Sequence, residues 1–188
     1  DELREQIAVE VEEFGRALIE EFIEGREFTC LIAENPDDVT KPITVKPVEF
    51  IFPAGESFKH YDMKWVEYEK MSVTVVTDPK IEKVLREQTL RVFNELGGNG
   101  YARCDFRMDA NGEIHMLEIN PNCGIFYPPH EPGSADYSLM NDKHIDHTKF
   151  MKLIIRSGQR RQTRMAAEKI IKRQRRKRVL EVEQMAFT

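Results

Sequence analysis

Across its 188 residues the chain has no apolar run near the roughly 18 to 20 residues that cross a bilayer. It opens Asp1-Glu2-Leu3-Arg4, without a basic stretch followed by an apolar one, so neither a membrane span nor a secretory signal is expected. Cysteine is scarce: Cys30, Cys104 and Cys123 are odd in number and widely spaced, which argues against a disulfide framework and against a paired zinc knuckle. A reducing, cytoplasmic setting fits these absences. Internal repeats are lacking, and the one low-complexity stretch is Arg173-Gln-Arg-Arg-Lys-Arg178. The first residue is not Met and already lies within a helical pattern, so the sequence is expected to be a piece of a longer protein.

What is present is an ordinary globular composition, 40% hydrophobic and 32% charged, with a net charge of −5 that conceals a division. From Met151 onward there are twelve basic and three acidic residues, which leaves 16 basic and 30 acidic groups on residues 1–150. An acidic body therefore carries a basic tail. The tail has no interleaved aromatic residues for base stacking, so a solvated helix answering the body's charge is preferred over contact with nucleic acid or an anionic surface.

Leu3, Ile7, Val11 and Phe14 form a helical stripe that Gly15 ends. Ala17 to Phe22, Glu27 to Ala33, Ile43 to Phe52 and Met71 to Val76 read as strands, the third at an edge because Pro47 removes a ladder donor. Gly55 to Lys70 reads as a loop with functional potential. Pro79 opens a helix through Leu96, with Val84, Leu85, Gln88, Val92, Phe93 and Leu96 on its buried side, and Gly97-Gly98 stops it. Residues 101–108 and 113–119 are strands about Asn111-Gly112, Asn120 to Pro132 is a long loop, and a tail helix runs from about Lys149 to Met185 with one break at Ser157-Gly158. Strands, a helix and then a strand pair imply an α+β or α/β domain.

The strand pair carries the chemistry. If Asn111-Gly112 is a two-residue type I′ loop, Ala110 faces Glu113, Asp105 lies opposite Glu118, and Arg103 lies opposite Asn120. Side-chain alternation then puts those last four residues on one face and Ala102, Cys104, Phe106, Leu117 and Ile119 on the apolar face. Two directly opposed carboxylates are destabilising unless a cation lies between them. With the Asn120 carbonyl oxygen they make an oxygen-only set suited to Mg²⁺ or Mn²⁺, which take substrate phosphates as further ligands. A half-exposed hairpin also alternates charged and apolar residues without any site; the continuation Asn120-Pro-Asn-Cys-Gly124, which can present a backbone N–H to an anion, favours the site.

In order along the chain, Ile19-Glu-Glu-Phe-Ile-Glu-Gly-Arg-Glu-Phe-Thr29, Phe58-Lys-His-Tyr-Asp-Met-Lys-Trp65, Gly100-Tyr-Ala-Arg-Cys-Asp-Phe-Arg107 and Leu117-Glu-Ile-Asn-Pro-Asn-Cys-Gly124 resemble the C-terminal half of an ATP-grasp ligase of the D-alanine–D-alanine ligase type. The resemblance covers roughly residues 5 to 124. It implies an α+β ATP-grasp C-terminal subdomain, with a mainly antiparallel sheet flanked by helices over 1–148 and a basic helical tail over 149–188. It implies ATP and Mg²⁺ (or Mn²⁺), and formation of an amide from small carboxylate and amine substrates through an acyl phosphate. Residue by residue it makes Asp105, Glu118 and Asn120 the metal ligands, Arg103 the phosphate-steadying arginine, Gly124 the oxyanion-hole N–H, and Lys64 a loop lysine on the terminal phosphates. Glu20, Glu21 and Ile23 would meet adenine and Glu27 the ribose hydroxyls.

The family's phosphate loop and N-terminal substrate domain would precede residue 1, so the isolated piece is expected to be inactive, and a homodimer through the missing regions stays open. Ile125 to Met140 departs from the family pattern, with Ser138-Leu139 a candidate for its displaced carboxylate-holding pair. The alternatives are a degenerate nucleotide-binding module without turnover and an interaction module using the basic tail. His144-x-x-His147 is read as lacking a third metal ligand, and Cys104 as core; Cys123 borders the proposed site.

Overall fold

The computed structural model describes residues 2–58 and 70–186, with side chains described through Arg176. Among the described residues ten elements follow in order: helix α1 (Glu2–Phe14), strands β1 (Arg26–Ala33), β2 (Ile43–Thr44), β3 (Val48–Ile51) and β4 (Ser72–Val75), helix α2 (Pro79–Glu95), strands β5 (Tyr101–Met108) and β6 (Ile114–Pro121), and helices α3 (Ser134–Asn141) and α4 (His147–Ala186).

The strands form one sheet in the order β4-β3-β1-β5-β6, with β2 beside the far end of β1, and every ladder is antiparallel. The Ile43–Phe52 strand is divided rather than continuous. Ile32 pairs with Thr44 but Thr29 with Val48, so one extra residue is taken up around Pro47, whose ring nitrogen cannot enter a ladder. Beyond that point β3 is flanked on its other side by β4, so of the two pieces of the expected strand β2 alone lies at an edge.

Alternation along β1 and β5 sends Phe28, Cys30, Cys104 and Phe106 to one face, where they pack with Val76 and Leu85. Helix α2 covers that face because Leu85, Thr89 and Phe93 recur at helical spacing. Val84 and Leu96, expected on its buried side, are exposed, and Thr89 takes the buried place. Both ends of α2 are built as its sequence demands. Asp78 accepts from the Lys80 and Ile81 N–H groups, and beyond Leu96 the Gly98 N–H bonds to Phe93 O while Gly97 N–H bonds to Asn94 O, the Schellman pattern.

On the opposite face, Leu31, Ala33 and Val45 pack with Cys123, Ala135, Leu139 and Phe150. This second core fixes α3 and the start of α4 against one end of the sheet, and the middle of the same face carries the buried Glu27, Thr29, Asp105 and Arg107. Helix α4 runs without a break through Ser157-Gly158. Ser157 is buried and donates its hydroxyl to Glu34 O at 3.2 Å, and this contact seats the helix without ending it. Residues Ala17 to Phe22 form no strand; Leu18, Ile19 and Phe22 are exposed, and among the described residues their β-rich character has no ladder to join. The short α3 was not expected from sequence. Among the described residues no helix is long and apolar enough to cross a membrane.

Candidate functional site

The hairpin β5–β6 brings the expected residues together by a route that differs from the expected one. Its turn is not a two-residue loop about Asn111-Gly112. Asp109 closes on Glu113, with Asp109 N–H bonded to Glu113 O at 3.0 Å and Gly112 at φ +84°, a three-residue loop with glycine in the left-handed position. That shifts the ladder by one residue, so Phe106 pairs with Met116. A bulge at Leu117 then restores the register, and Asp105 faces Glu118 while Arg103 faces Asn120. Leu117, expected on the apolar face, is therefore the extra residue and is 47% exposed.

Arg103 grips Asp105 with its Nε at 2.9 Å from Oδ1 and its Nη2 at 2.7 Å from Oδ2. Burial works against the Arg103 charge, but the hydrogen bonds and charge of Asp105 outweigh it and hold the guanidinium pKa above its ordinary value. The Asn120 side-chain nitrogen lies 3.2 Å from Asp105 Oδ2 and 2.8 Å from Glu118 Oε1. It donates to both carboxylates from the position between them, where their field favours positive charge. Half a turn of this amide puts its oxygen there instead, which is favourable only with a cation between the three oxygens. The donor set thus fits a hard divalent ion.

Thr29, central in β1 and fully buried, supports Asp105 from beneath: its hydroxyl lies 2.6 Å from Oδ1 and 3.2 Å from Cys104 O. A single proton serves one partner at a time, and the shorter contact to a carboxylate is the stronger. Sequence reasoning assigned Thr29 no role; its register opposite Asp105 is the signal that carries it.

Beside this cluster, Glu27 faces Arg107 across β1 and β5, both buried, with Glu27 Oε2 3.0 Å from Arg107 Nη1. Arg107 also donates to the carbonyls of Ile23, of Gly25 (3.0 Å) and of Ser57 (2.9 Å), and its guanidinium lies 4.9 Å from the Phe22 ring centroid. It holds residues 22–25 against the sheet. Ile23 is half-buried there, and Glu20 and Glu21 are exposed upstream of it. Gly25 is required: at φ +144° an added Cβ would come 2.0 Å from Met108 O. Lys64 lies outside the described residues.

The other flank is the segment after β6. Gly124 is exposed, and the Tyr127 hydroxyl lies where a Cβ would be. Asp136 in α3 fixes this segment. Buried, it accepts from the backbone N–H groups of Phe126 (2.8 Å), Tyr127 (3.4 Å) and Gly133 (3.0 Å), and its Oδ1 is 3.0 Å from His147 Nε2. His147 is thereby committed to Asp136, not paired with His144 for a metal. Ser138 is buried with its hydroxyl on Ser134 O, and Leu139 is core. Arg103 Nη1 reaches Ser134 Oγ at 3.4 Å, tying α3 to the carboxylate cluster. None of the three thiols is activated: burial pushes Cys30 and Cys123 up to about 11 and Cys104 to about 12.

Residues 1–156 match a family model described as D-ala D-ala ligase C-terminus. Of the curated proteins, D-alanine--D-alanine ligase A of Mesorhizobium japonicum is 37% identical over 109 residues, 56% of this chain and 30% of that one. The D-alanine--D-alanine ligase of Aquifex aeolicus is 28% identical over 159 residues, 82% of this chain and 48% of that one. Of the solved structures, the Bacillus anthracis D-alanine--D-alanine ligase complexed with ATP aligns with a TM-score of 0.65 at 19% identity, covering 88% of this chain and 48% of that chain. The chain spans less than half the length of each of these three proteins. The fold is thus the α+β one expected, a mainly antiparallel ATP-grasp sheet flanked by helices.

Proposed function

This chain belongs to the D-ala D-ala ligase C-terminus family, and on that premise we propose that it is the nucleotide- and metal-binding part of an ATP-dependent ligase joining a small carboxylate to a small amine. One observation carries the reading: Asp105, Glu118, Asn120 and Arg103 converge on one face of the sheet, with the Asn120 amide nitrogen within 3.2 Å of both carboxylates. Two paired carboxylates, an amide and a fixed arginine are what phosphoryl transfer needs for positioning and charge stabilisation.

In this reading Asp105, Glu118 and Asn120 hold Mg²⁺, which neutralises charge on the nucleotide phosphates. Arg103, kept charged and oriented by Asp105, faces the transferred phosphoryl group. Adenine lies against Glu20, Glu21 and Ile23, and the ribose hydroxyls meet Glu27. Gly124 presents its N–H to the oxyanion that forms when the amine attacks the acyl phosphate, and Lys64 contacts the terminal phosphates. Residues 1–148 form a partial ATP-grasp domain, 149–188 a basic tail, and the setting is cytoplasmic. The remainder of the active site comes from chain outside this sequence.

Calorimetric titration of Mg-ATP into the chain, repeated with Asp105→Ala plus Glu118→Ala, tests the reading. Metal-dependent binding that disappears in a folded double variant is the expected result. Absence of binding in the folded wild-type chain would overturn it and favour a module without nucleotide chemistry.

A further inference from the structure

Arg107 is a buried cation with more partners than a single counter-ion role requires. Four contacts leave its guanidinium: Nε to Ile23 O, Nη1 to Glu27 Oε2, and Nη2 to both Gly25 O and Ser57 O. A fifth partner, the Phe22 ring, lies against the guanidinium. These partners belong to three stretches of chain: residues 22–25 before β1, Glu27 within β1, and Ser57 at the threshold of the segment that contains Lys64. Only a planar fork with five N–H donors can address three carbonyls and a carboxylate at once; an ammonium has three donors and no fixed plane.

We propose that Arg107 is a positioning residue for the nucleotide, gathering the Ile23–Gly25 backbone, Glu27 and Ser57 into one rigid ledge beside the Asp105 cluster. This rests on the nucleotide reading above and assigns Arg107 no contact with ATP itself. The ledge explains why the chain spends a buried charge here. Among the described residues, 16–24 join no strand, and Leu18, Ile19 and Phe22 are exposed, so no ladder there holds residues 22–25. Arg107 supplies those missing backbone partners. Gly25 allows the close approach, since any Cβ there would meet Met108 O, and its carbonyl accepts from the guanidinium.

The test separates positioning from bulk stability. Wild type, Arg107→Lys and Arg107→Met are titrated with Mg-ATP and, separately, with Mg-tripolyphosphate, which offers the metal and phosphate groups without base or ribose. Circular dichroism establishes the fold of each variant. The proposal predicts that both variants lose at least tenfold in Mg-ATP affinity and less than threefold in Mg-tripolyphosphate affinity, with Lys no better than halfway to wild type. Faster amide exchange at residues 22–25 and 57 should accompany the loss.

Equal losses for both ligands would assign Arg107 to general stability and overturn the proposal. Full rescue by Lys would reduce it to a counter-ion for Glu27 and overturn it likewise, as would unchanged Mg-ATP binding. If wild type binds tripolyphosphate but not Mg-ATP, the nucleotide reading itself fails and the proposal with it.

Discussion

Thr29→Val isolates the support beneath the carboxylate cluster. The substitution keeps the β-branched shape but removes a hydroxyl 2.6 Å from Asp105 Oδ1, at a position with no solvent access to supply a replacement. A hydrogen bond to a charged acceptor is worth roughly 1.5 to 3 kcal/mol, and the loss here falls in that range because Asp105 is buried against the Arg103 guanidinium. For a chain of this length each kcal/mol moves the melting temperature by roughly 2 to 4 °C, so calorimetry should show a decrease of about 3 to 12 °C. A cycle with Asp105→Asn should give a coupling of about 1 kcal/mol or more, because the Thr29 hydroxyl then faces a neutral amide. Thr29→Ser, which keeps the hydroxyl, should stay within about 1 kcal/mol plus the lost methyl. An unchanged melting temperature in Thr29→Val, or strict additivity with Asp105→Asn, would refute the idea that Thr29 holds Asp105.

Three further outcomes are expected. The buried thiols titrate near 11 to 12 in the folded chain against about 8.5 when unfolded, so the folded state retains their protons longer. Stability should therefore be level below about pH 8.5 and fall as pH rises toward 11, with a flatter slope in a Cys30→Ala, Cys104→Ala, Cys123→Ala variant measured by urea denaturation. Asp136→Ala removes the acceptor of three backbone N–H groups and should cost about 2 to 4 kcal/mol, with faster amide exchange at Phe126, Tyr127 and Gly133; protection unchanged at those amides would contradict the role given to it. Two glycine-to-alanine changes should differ in sign: Gly25→Ala destabilises by more than about 2 kcal/mol, whereas Gly158→Ala, with open space around it in mid-helix, stabilises by about 0.5 to 1 kcal/mol in thermal melts.

The cluster was legible in the sequence because charged and apolar residues alternate along 101–108 and 114–120, and alternation survives errors of detail. The turn about Asn111-Gly112 is one residue longer than the dipeptide suggests, and the bulge at Leu117 cancels the difference before Asp105 is reached. Neither the bulge nor the loop has a local signature strong enough to reveal the other. Ala17 to Phe22 misled for the converse reason: β propensity is local, whereas a strand needs a partner, and among the described residues none pairs with it. Ser157-Gly158 looked like a helix break because both residues are weak helix formers, yet the Ser157 hydroxyl bond to Glu34 O and the buried Phe150 turn before it anchor α4. The contacts of Arg107 and Asp136 were not visible, since most of their partners are backbone groups, up to 84 residues away for Arg107, whose chemistry is the same at every position.

The most direct test of the account is a Mn²⁺ titration followed by electron paramagnetic resonance, with and without ATP, on wild type and on Asp105→Asn plus Glu118→Gln. These substitutions keep shape and remove charge from the face that the account assigns to the metal. Wild type should bind Mn²⁺ more tightly when ATP is present, and the folded double variant should lose at least a hundredfold of that ATP-dependent affinity. Equal Mn²⁺ binding by the two proteins, with or without ATP, would contradict the claim that Asp105 and Glu118 face each other to hold a divalent cation.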